Sequence, residues 1–308
     1  MTESNVRIVS LIPSGTEILA ALGLTDKIVG RSHECDYPPE IKNRPVCTQA
    51  RLDSNAPSGE IHDKVNNLLQ SALSIYQIKT DVLEKLQPTH IVTQDQCDVC
   101  AVSLGDVENA VATLTNNSPQ IISLQPNVLK DVWTDIERVS KAFEVDSVKV
   151  LENLEARVQI IKQRIQGLSL TELPKVACIE WTDPLMTASN WIPELVNLAG
   201  GQSLFSVAGQ PSAQLKWETL ISSNPDAVIF MPCGFDLNRT RQEAQLLTQS
   251  PEWQKLHATQ TGRVCITDGN AYFNRPGPRL ADSLEILAEI LHPEIFQYGY
   301  KGTGWEVL

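Results

Sequence analysis

No stretch of the 308-residue chain approaches the roughly 18 uninterrupted apolar residues that a membrane-spanning helix needs. The opening residues, Met1-Thr2-Glu3-Ser4-Asn5-Val6, lack the basic flank and long apolar run of a secretory leader, and no lipobox follows. A soluble, cytoplasmic chain is the expectation. Basic side chains are scarce: 25 Lys and Arg stand against 37 Asp and Glu, for a formal net charge of -12, and they form no cluster. Neutralising a nucleic-acid backbone takes a basic face, so no nucleic-acid partner is expected. Enzyme signatures are missing too. There is no G-x-S-x-G elbow and no Walker loop, and Gly299-x-x-Gly302-x-Gly304 lies near the C-terminus with no helix after it. The carboxylates show no paired spacing that marks an acid/base couple, so nothing demands an enzyme.

What is present is enough apolar residue, 42%, to bury a core, and a length that fits two domains or one large α/β unit. Seven cysteines (35, 47, 97, 100, 178, 233 and 265) are an odd number in a chain too large to need stapling, which fits a reducing compartment better than a disulfide framework.

Short β-rich runs alternate with helical periodicity. Arg7 to Ile12 reads as a strand stopped by Pro13, and Ser14-Gly15-Thr16-Glu17 reads as a capping box opening a helix. Strands follow at Lys27–Arg31, Thr89–Thr93 and Gln120–Leu124, with helices within 55–77 and at Lys79–Gln87 and Ser103–Leu114. This alternation predicts a parallel sheet. From Asp146 to Leu168, apolar residues recur every three or four positions, predicting one long helix of roughly 30 Å. The alternation then restarts, with strands at Lys175–Glu180, Ala227–Met231 and Arg263–Thr267. Its helices are Pro193–Leu198, closed by Gly200-Gly201, then Trp217–Ser223 and Arg279–Leu291. The expected organisation is an α/β lobe over 1–145, a connecting helix over 146–168 and a second α/β lobe over 169–308. A weak repeat supports two related lobes: Leu83 to Val92 and Leu220 to Ile229 each run from a helix through proline into a buried strand.

Loops at the carboxyl ends of parallel strands are where open α/β sheets bind ligands. In the first lobe these carry Ser14, then His33, Glu34, Cys35, Asp36 and Tyr37, and then Cys97 and Cys100. In the second they carry Trp181, Trp191, Cys233, Tyr272, Phe273 and Arg275. If the lobes face each other, the loops meet in one cleft, and the tryptophans there suit a large flat ligand. Cys97-x-x-Cys100 has metal-ligand spacing, and His33 with Cys35 would complete a tetrahedral site for a transition metal such as Zn or Fe. The same pair precedes a helix, which leaves a thiol redox enzyme open, as well as a structural role. Cys47, Cys178 and Cys265 lie in or beside apolar runs and read as buried small hydrophobes. Trp133 and Trp253, on or next to helices, read as core.

Several phrases resemble the cobalamin and iron-siderophore class of ABC-importer substrate-binding proteins. They are Ile8-Val9-Ser10-Leu11-Ile12-Pro13-Ser14-Gly15-Thr16-Glu17, Asp36-Tyr37-Pro38-Pro39, Asn197-Leu198-Ala199-Gly200-Gly201 and Tyr272-Phe273-Asn274-Arg275-Pro276-Gly277-Pro278-Arg279. The resemblance runs from Arg7 to about Leu291. It implies two Rossmann-like α/β lobes on one backbone helix, with a corrinoid such as cobalamin or a related metal chelate in the cleft; the chain is expected to be a monomer. It implies ligand contacts through Asp36, Tyr37 and Pro38 and from Tyr272, Phe273 and Arg275, the last pairing an anionic side chain of the ligand. It also implies a permease partner docking on Asp81 and Glu218, and a periplasmic setting. The segment from about Ala50 to Gln77 is extra relative to the short vitamin-binding members, and the thiols with His33 stand outside their contact set.

Overall fold

The computed structural model describes residues 6–71, 75–95, 102–114, 118–168 and 172–308. The chain divides into two compact units. The first comprises residues 1–56, 60–126 and 130–151, and the second 57–59, 127–129 and 152–308.

The first unit opens with β1 (Ile8–Ser10), α1 (Pro13–Ala21), β2 (Ile28–Arg31) and β3 (Thr48–Ala50). Next come α2 (Ser58–Gln70), whose first two residues group with the second unit, and β4 (Tyr76–Ile78). It continues through α3 (Thr80–Leu86), β5 (His90–Gln94), α4 (Leu104–Ala112), β6 (Gln120–Leu124) and α5 (Leu129–Ala142). The main sheet runs β2-β1-β5-β6 and is parallel throughout, as the alternation predicts. Val9, Leu11, Leu83, Ile91 and Val107 fill one side of it. The antiparallel pair β3-β4 is not announced by the sequence pattern. Its three-residue strands bracket α2, so the extra segment is a helix clasped by a ribbon, with strands too short to show a period of two. The helix α5 carries Trp133, which is half-buried rather than part of the core as its sequence context suggests.

The capping box does not form. Pro13 occupies the first turn of α1, where its fixed φ and missing N–H cost nothing, and Ile12 is the N-cap. Ser14 therefore sits inside the helix, 1% exposed. Gly15 is held there by space, since a Cβ would stand 2.8 Å from Val92.

The helix α6 (Val148–Gln166) is the long one predicted, and the chain passes from the first unit to the second within it. Leu154, Val158 and Ile161 are its buried side. In the second unit Arg157 donates to Glu285 at 2.8 Å and also pairs with Asp282.

The second unit holds β7 (Lys175–Thr182), β8 (Leu185–Thr187), α7 (Ile192–Leu198), β9 (Gln202–Ser203), α8 (Trp217–Ser223) and β10 (Ala227–Phe230). It ends with α9 (Leu237–Thr248), α10 (His257–Gln260), β11 (Val264–Thr267), α11 (Leu280–Leu291) and β12 (Trp305–Val307). The sheet runs β12-β11-β10-β7-β8, with β9 also on β7. Its centre is parallel, but both β8 and the C-terminal β12 are antiparallel margins. Neither margin follows from the sequence pattern, nor does α9. Trp253 is core, as read, packed beside Trp217 and Phe230. Gly200 closes α7 at φ +79, with His292 and Ile165 so close that a Cβ would meet them within 2.9 Å.

The two helix-proline-strand junctions match in detail. Both α3 and α8 have seven residues, an acid in the first turn (Asp81, Glu218) and a left-handed C-cap, Gln87 at φ 46 and Asn224 at φ 42. Leu83 and Leu220 are fully buried at the same helix position. Proline after the cap forbids another helical turn, so each chain turns straight into its strand.

Candidate functional site

In the first unit, the carboxyl ends of β1 and β2 carry the residues singled out from the sequence. His33 is partly exposed; its Nδ1 lies 2.7 Å from Thr48 Oγ1, and its Nε2 lies 3.1 Å from Glu34. Thr48 also accepts the His33 main-chain N–H at 3.0 Å, so β3 fixes the imidazole. Sequence reading gives Thr48 no role, because its partner is 15 residues away. Asp36 is half-buried, and Tyr37 is 44% exposed.

Cys35 corrects an expectation. It is fully buried, with the Thr16 hydroxyl donating to its sulfur at 3.0 Å, and so lies under the loop rather than on its surface. Ser14 is likewise covered by the packing of α1. Cys97 and Cys100 lie outside the described residues, and among those described no group of three or more His, Cys, Asp or Glu can hold a metal ion. Of the four residues of that metal site, His33 is partly exposed against Thr48 and Glu34, and Cys35 is fully buried against Thr16. Cys47, Cys178 and Cys265 are buried and free, as their apolar context predicts. Burial pushes their thiols up to about 11 for Cys47 and about 12 for the other two.

In the second unit, β7 ends in Glu180, Trp181 and Thr182. Trp181 is partly exposed, donates Nε1–H to the Asp183 carbonyl at 3.0 Å and packs on Phe235 at 5.2 Å between ring centroids. The Arg239 guanidinium also lies over the Phe235 ring, 4.7 Å from its centroid. Cys233 is partly exposed and gives its main-chain N–H to the Glu180 carbonyl at 3.3 Å. Trp191 and Phe273 are corrected from surface to support: they are 5% and 1% exposed, and Trp191 Nε1 donates to the Phe273 carbonyl at 2.9 Å. That bond ties α7 to the five-residue π-turn Gly269–Phe273 after β11. Gly269 permits the turn, since a Cβ would stand 2.2 Å from the Pro232 carbonyl oxygen. Arg275 is 4% exposed and donates to the Asn270 side chain at 2.9 Å, so Asn270 is the more exposed partner. Tyr272 remains partly exposed, with Arg279 5.6 Å from its ring centroid.

Glu180 escapes sequence reading because an acid at a strand end carries no pattern. The pairing of β7 with β8 shifts register between Ile179 and Trp181, leaving Glu180 as the extra residue of a bulge. Bulges re-aim side chains near functional surfaces. Ser212 Oγ donates to its carboxylate at 2.8 Å. Burial pushes the carboxyl up to about 7, while the Ser212 hydroxyl and the Ser189 main-chain N–H act in the opposite direction.

Two α/β units of one plan, each presenting polar and aromatic loop residues at the carboxyl ends of parallel strands, define a two-lobed ligand-binding protein. The chain belongs to the periplasmic binding protein family, whose model matches residues 8–271. Among related proteins it is 24% identical to an uncharacterised ABC transporter substrate-binding lipoprotein, YvrC, of Bacillus subtilis, covering 94% of this chain and 81% of that one. It is also 24% identical to a vitamin B12-binding protein of Vibrio vulnificus, covering 92% and 89%. Solved structures with the same fold include the periplasmic vitamin B12-binding protein BtuF of Vibrio cholerae, with TM-score 0.63, 21% identity and coverage of 92% and 96%. A periplasmic heme-binding protein of Pseudomonas aeruginosa matches with TM-score 0.71, 18% identity and coverage of 94% and 93%. At these identities the structural likeness speaks for the fold alone.

Proposed function

We propose that this protein is the substrate-binding component of an ABC importer and that its cargo is a corrinoid or a closely related metal chelate. It performs no chemistry on that cargo. The observation that carries this reading is the near full-length kinship to vitamin B12-binding relatives within the family. Two features of the molecule support it. Tyr37, Trp181 and Tyr272 offer aromatic surface at the ends of the strands, and such faces bind a large planar ring at small entropic cost. Asp81 and Glu218 are exposed at equivalent positions of α3 and α8, as two like docking acids for a permease would be. The lipoprotein relative and the family's setting support delivery on the outer side of the cytoplasmic membrane.

Titration with cyanocobalamin tests the reading, followed by calorimetry and by the thermal midpoint, with hemin run in parallel. A saturable, one-to-one shift with cyanocobalamin supports it. Saturable binding of hemin with none of cyanocobalamin would move the cargo to porphyrins, and binding of neither would remove the tetrapyrrole reading altogether.

A further inference from the structure

Glu180 lies near the carboxyl end of strand β7, next to the partly exposed Trp181, as the extra residue of the bulge that breaks the regular alternation. The two groups that donate to it are neutral. Ser212 brings a hydroxyl and Ser189 a main-chain N–H, and β8 (Leu185–Thr187) brings no titratable residue. On β7 itself the nearest titratable side chain is the buried Cys178, and the loop after β10 brings Cys233. Among the described residues, no Lys, Arg or His forms an ion pair with Glu180. A carboxyl group has more acceptor capacity than two donors fill, and in a poorly solvated place that capacity is costly to leave unused.

We infer that Glu180 is a specificity residue of the ligand-binding surface, accepting hydrogen bonds from neutral carboxamide groups on the ligand's periphery and rejecting ligands that present carboxylates there. The inference rests on the tetrapyrrole reading and deepens it. Corrinoids carry carboxamides around the ring and porphyrins carry carboxylates, so one carboxylate acceptor separates the two classes. An amide N–H gains a charge-assisted bond from ionised Glu180, whereas a ligand carboxylate meets like charge. Ser212 is the positioning residue: its hydroxyl holds one carboxylate oxygen, and the acceptor capacity that Ser212 and the Ser189 main-chain N–H leave unfilled is what the ligand takes up.

The test compares the full-length protein with Glu180→Gln and Ser212→Ala, measuring dissociation constants for cyanocobalamin and hemin at about pH 5.5 and about pH 8.5. Gln keeps the size and the contact with Ser212 but cannot ionise. The unsubstituted protein is expected to bind cyanocobalamin more tightly at the higher pH and hemin less tightly. Glu180→Gln should weaken cyanocobalamin roughly tenfold at the higher pH, lose the pH dependence for both ligands, and narrow the preference between them. Ser212→Ala should move the midpoint of the pH dependence upward, because a donor favouring the ionised form is gone. A merely structural Glu180 would alter stability without moving that midpoint. If Glu180→Gln binds both ligands with the affinities and pH profiles of the unsubstituted protein, the assignment is overturned while the corrinoid reading stands. If the unsubstituted protein binds neither macrocycle, both fall together.

Discussion

The Ser58 hydroxyl donates to Glu243 at 2.8 Å, joining residues 185 positions apart within the second unit. Thr182 Oγ1 stands 2.9 Å from the same hydroxyl, and Arg239 donates to the other Glu243 oxygen at 2.9 Å. Ser58 is thereby fastened to α9 and to the end of β7. A buried carboxylate is tolerable because every oxygen has a donor. Ser58→Ala should cost only about 1 kcal/mol, since Thr182 can still donate directly to Glu243. Glu243→Ala should cost about 2–4 kcal/mol, because it strands two hydroxyls and a guanidinium. Urea unfolding of the two variants checks both the order and the gap.

Stability should depend on pH through Glu180. Its carboxyl is held at about 7 in the folded protein against an ordinary 4.5. Between those values the unfolded chain releases the proton while the folded chain keeps it. Stability from this group is therefore whole below the lower value, falls as pH rises through the window, and is level above the upper one. Glu180→Gln should remove a change of about 3 kcal/mol in the unfolding free energy across that window, measured by chemical denaturation at a series of pH values.

Charge reversal at both Asp81 and Glu218 should leave cargo affinity and the thermal midpoint within error. Both acids are exposed, and Asp81 pairs with Lys85 at 3.7 Å, a contact of little energetic weight. Stimulation of the cognate importer's ATPase in proteoliposomes should be lost. Unchanged stimulation by the double variant would refute the docking role.

The two tryptophans should separate cleanly. Trp181→Ala should lower cargo affinity by about tenfold or more with a modest stability change, as expected for a partly exposed aromatic contact. Trp191→Ala should instead cost about 3–5 kcal/mol of stability, because that side chain is 5% exposed and bonded to the Phe273 carbonyl. Calorimetry and thermal unfolding on both variants give the comparison.

Native-state alkylation mapped by mass spectrometry should modify Cys233 well before Cys35, Cys47, Cys178 and Cys265. The last four are buried, while Cys233 keeps partial exposure. Equal rates at all five would contradict the packing described.

Much of the fold is legible in the sequence because its signals are local. Strand runs before Pro13 and after Pro88 and Pro225, the long period of α6 and the Gly200 cap each need only neighbouring residues to be read. What goes unread depends on distant partners. The strands β8, β9 and β12 are two or three residues long and are strands only because β7 and β11 offer them an edge. The capping box fails for a local reason instead: Ser14 has the right chemistry, but Pro13 takes the first helical position and moves the N-cap two residues earlier, to Ile12.

For the candidate site, sequence alone placed the candidate loops at the carboxyl ends of parallel strands, since that position follows from the order of elements. It also determined the equivalence of α3 and α8, which rests on proline and leucine at matched positions. Which side chains in those loops are presented was decided only by tertiary packing. Cys35, Trp191 and Phe273 are covered, Tyr37 and Trp181 are accessible, and Thr48 and Ser212 reach their partners from far along the chain. Accessibility is a property of what packs on top of a residue, and a bulge such as that at Glu180 exists only between paired strands, so neither is written in the local pattern.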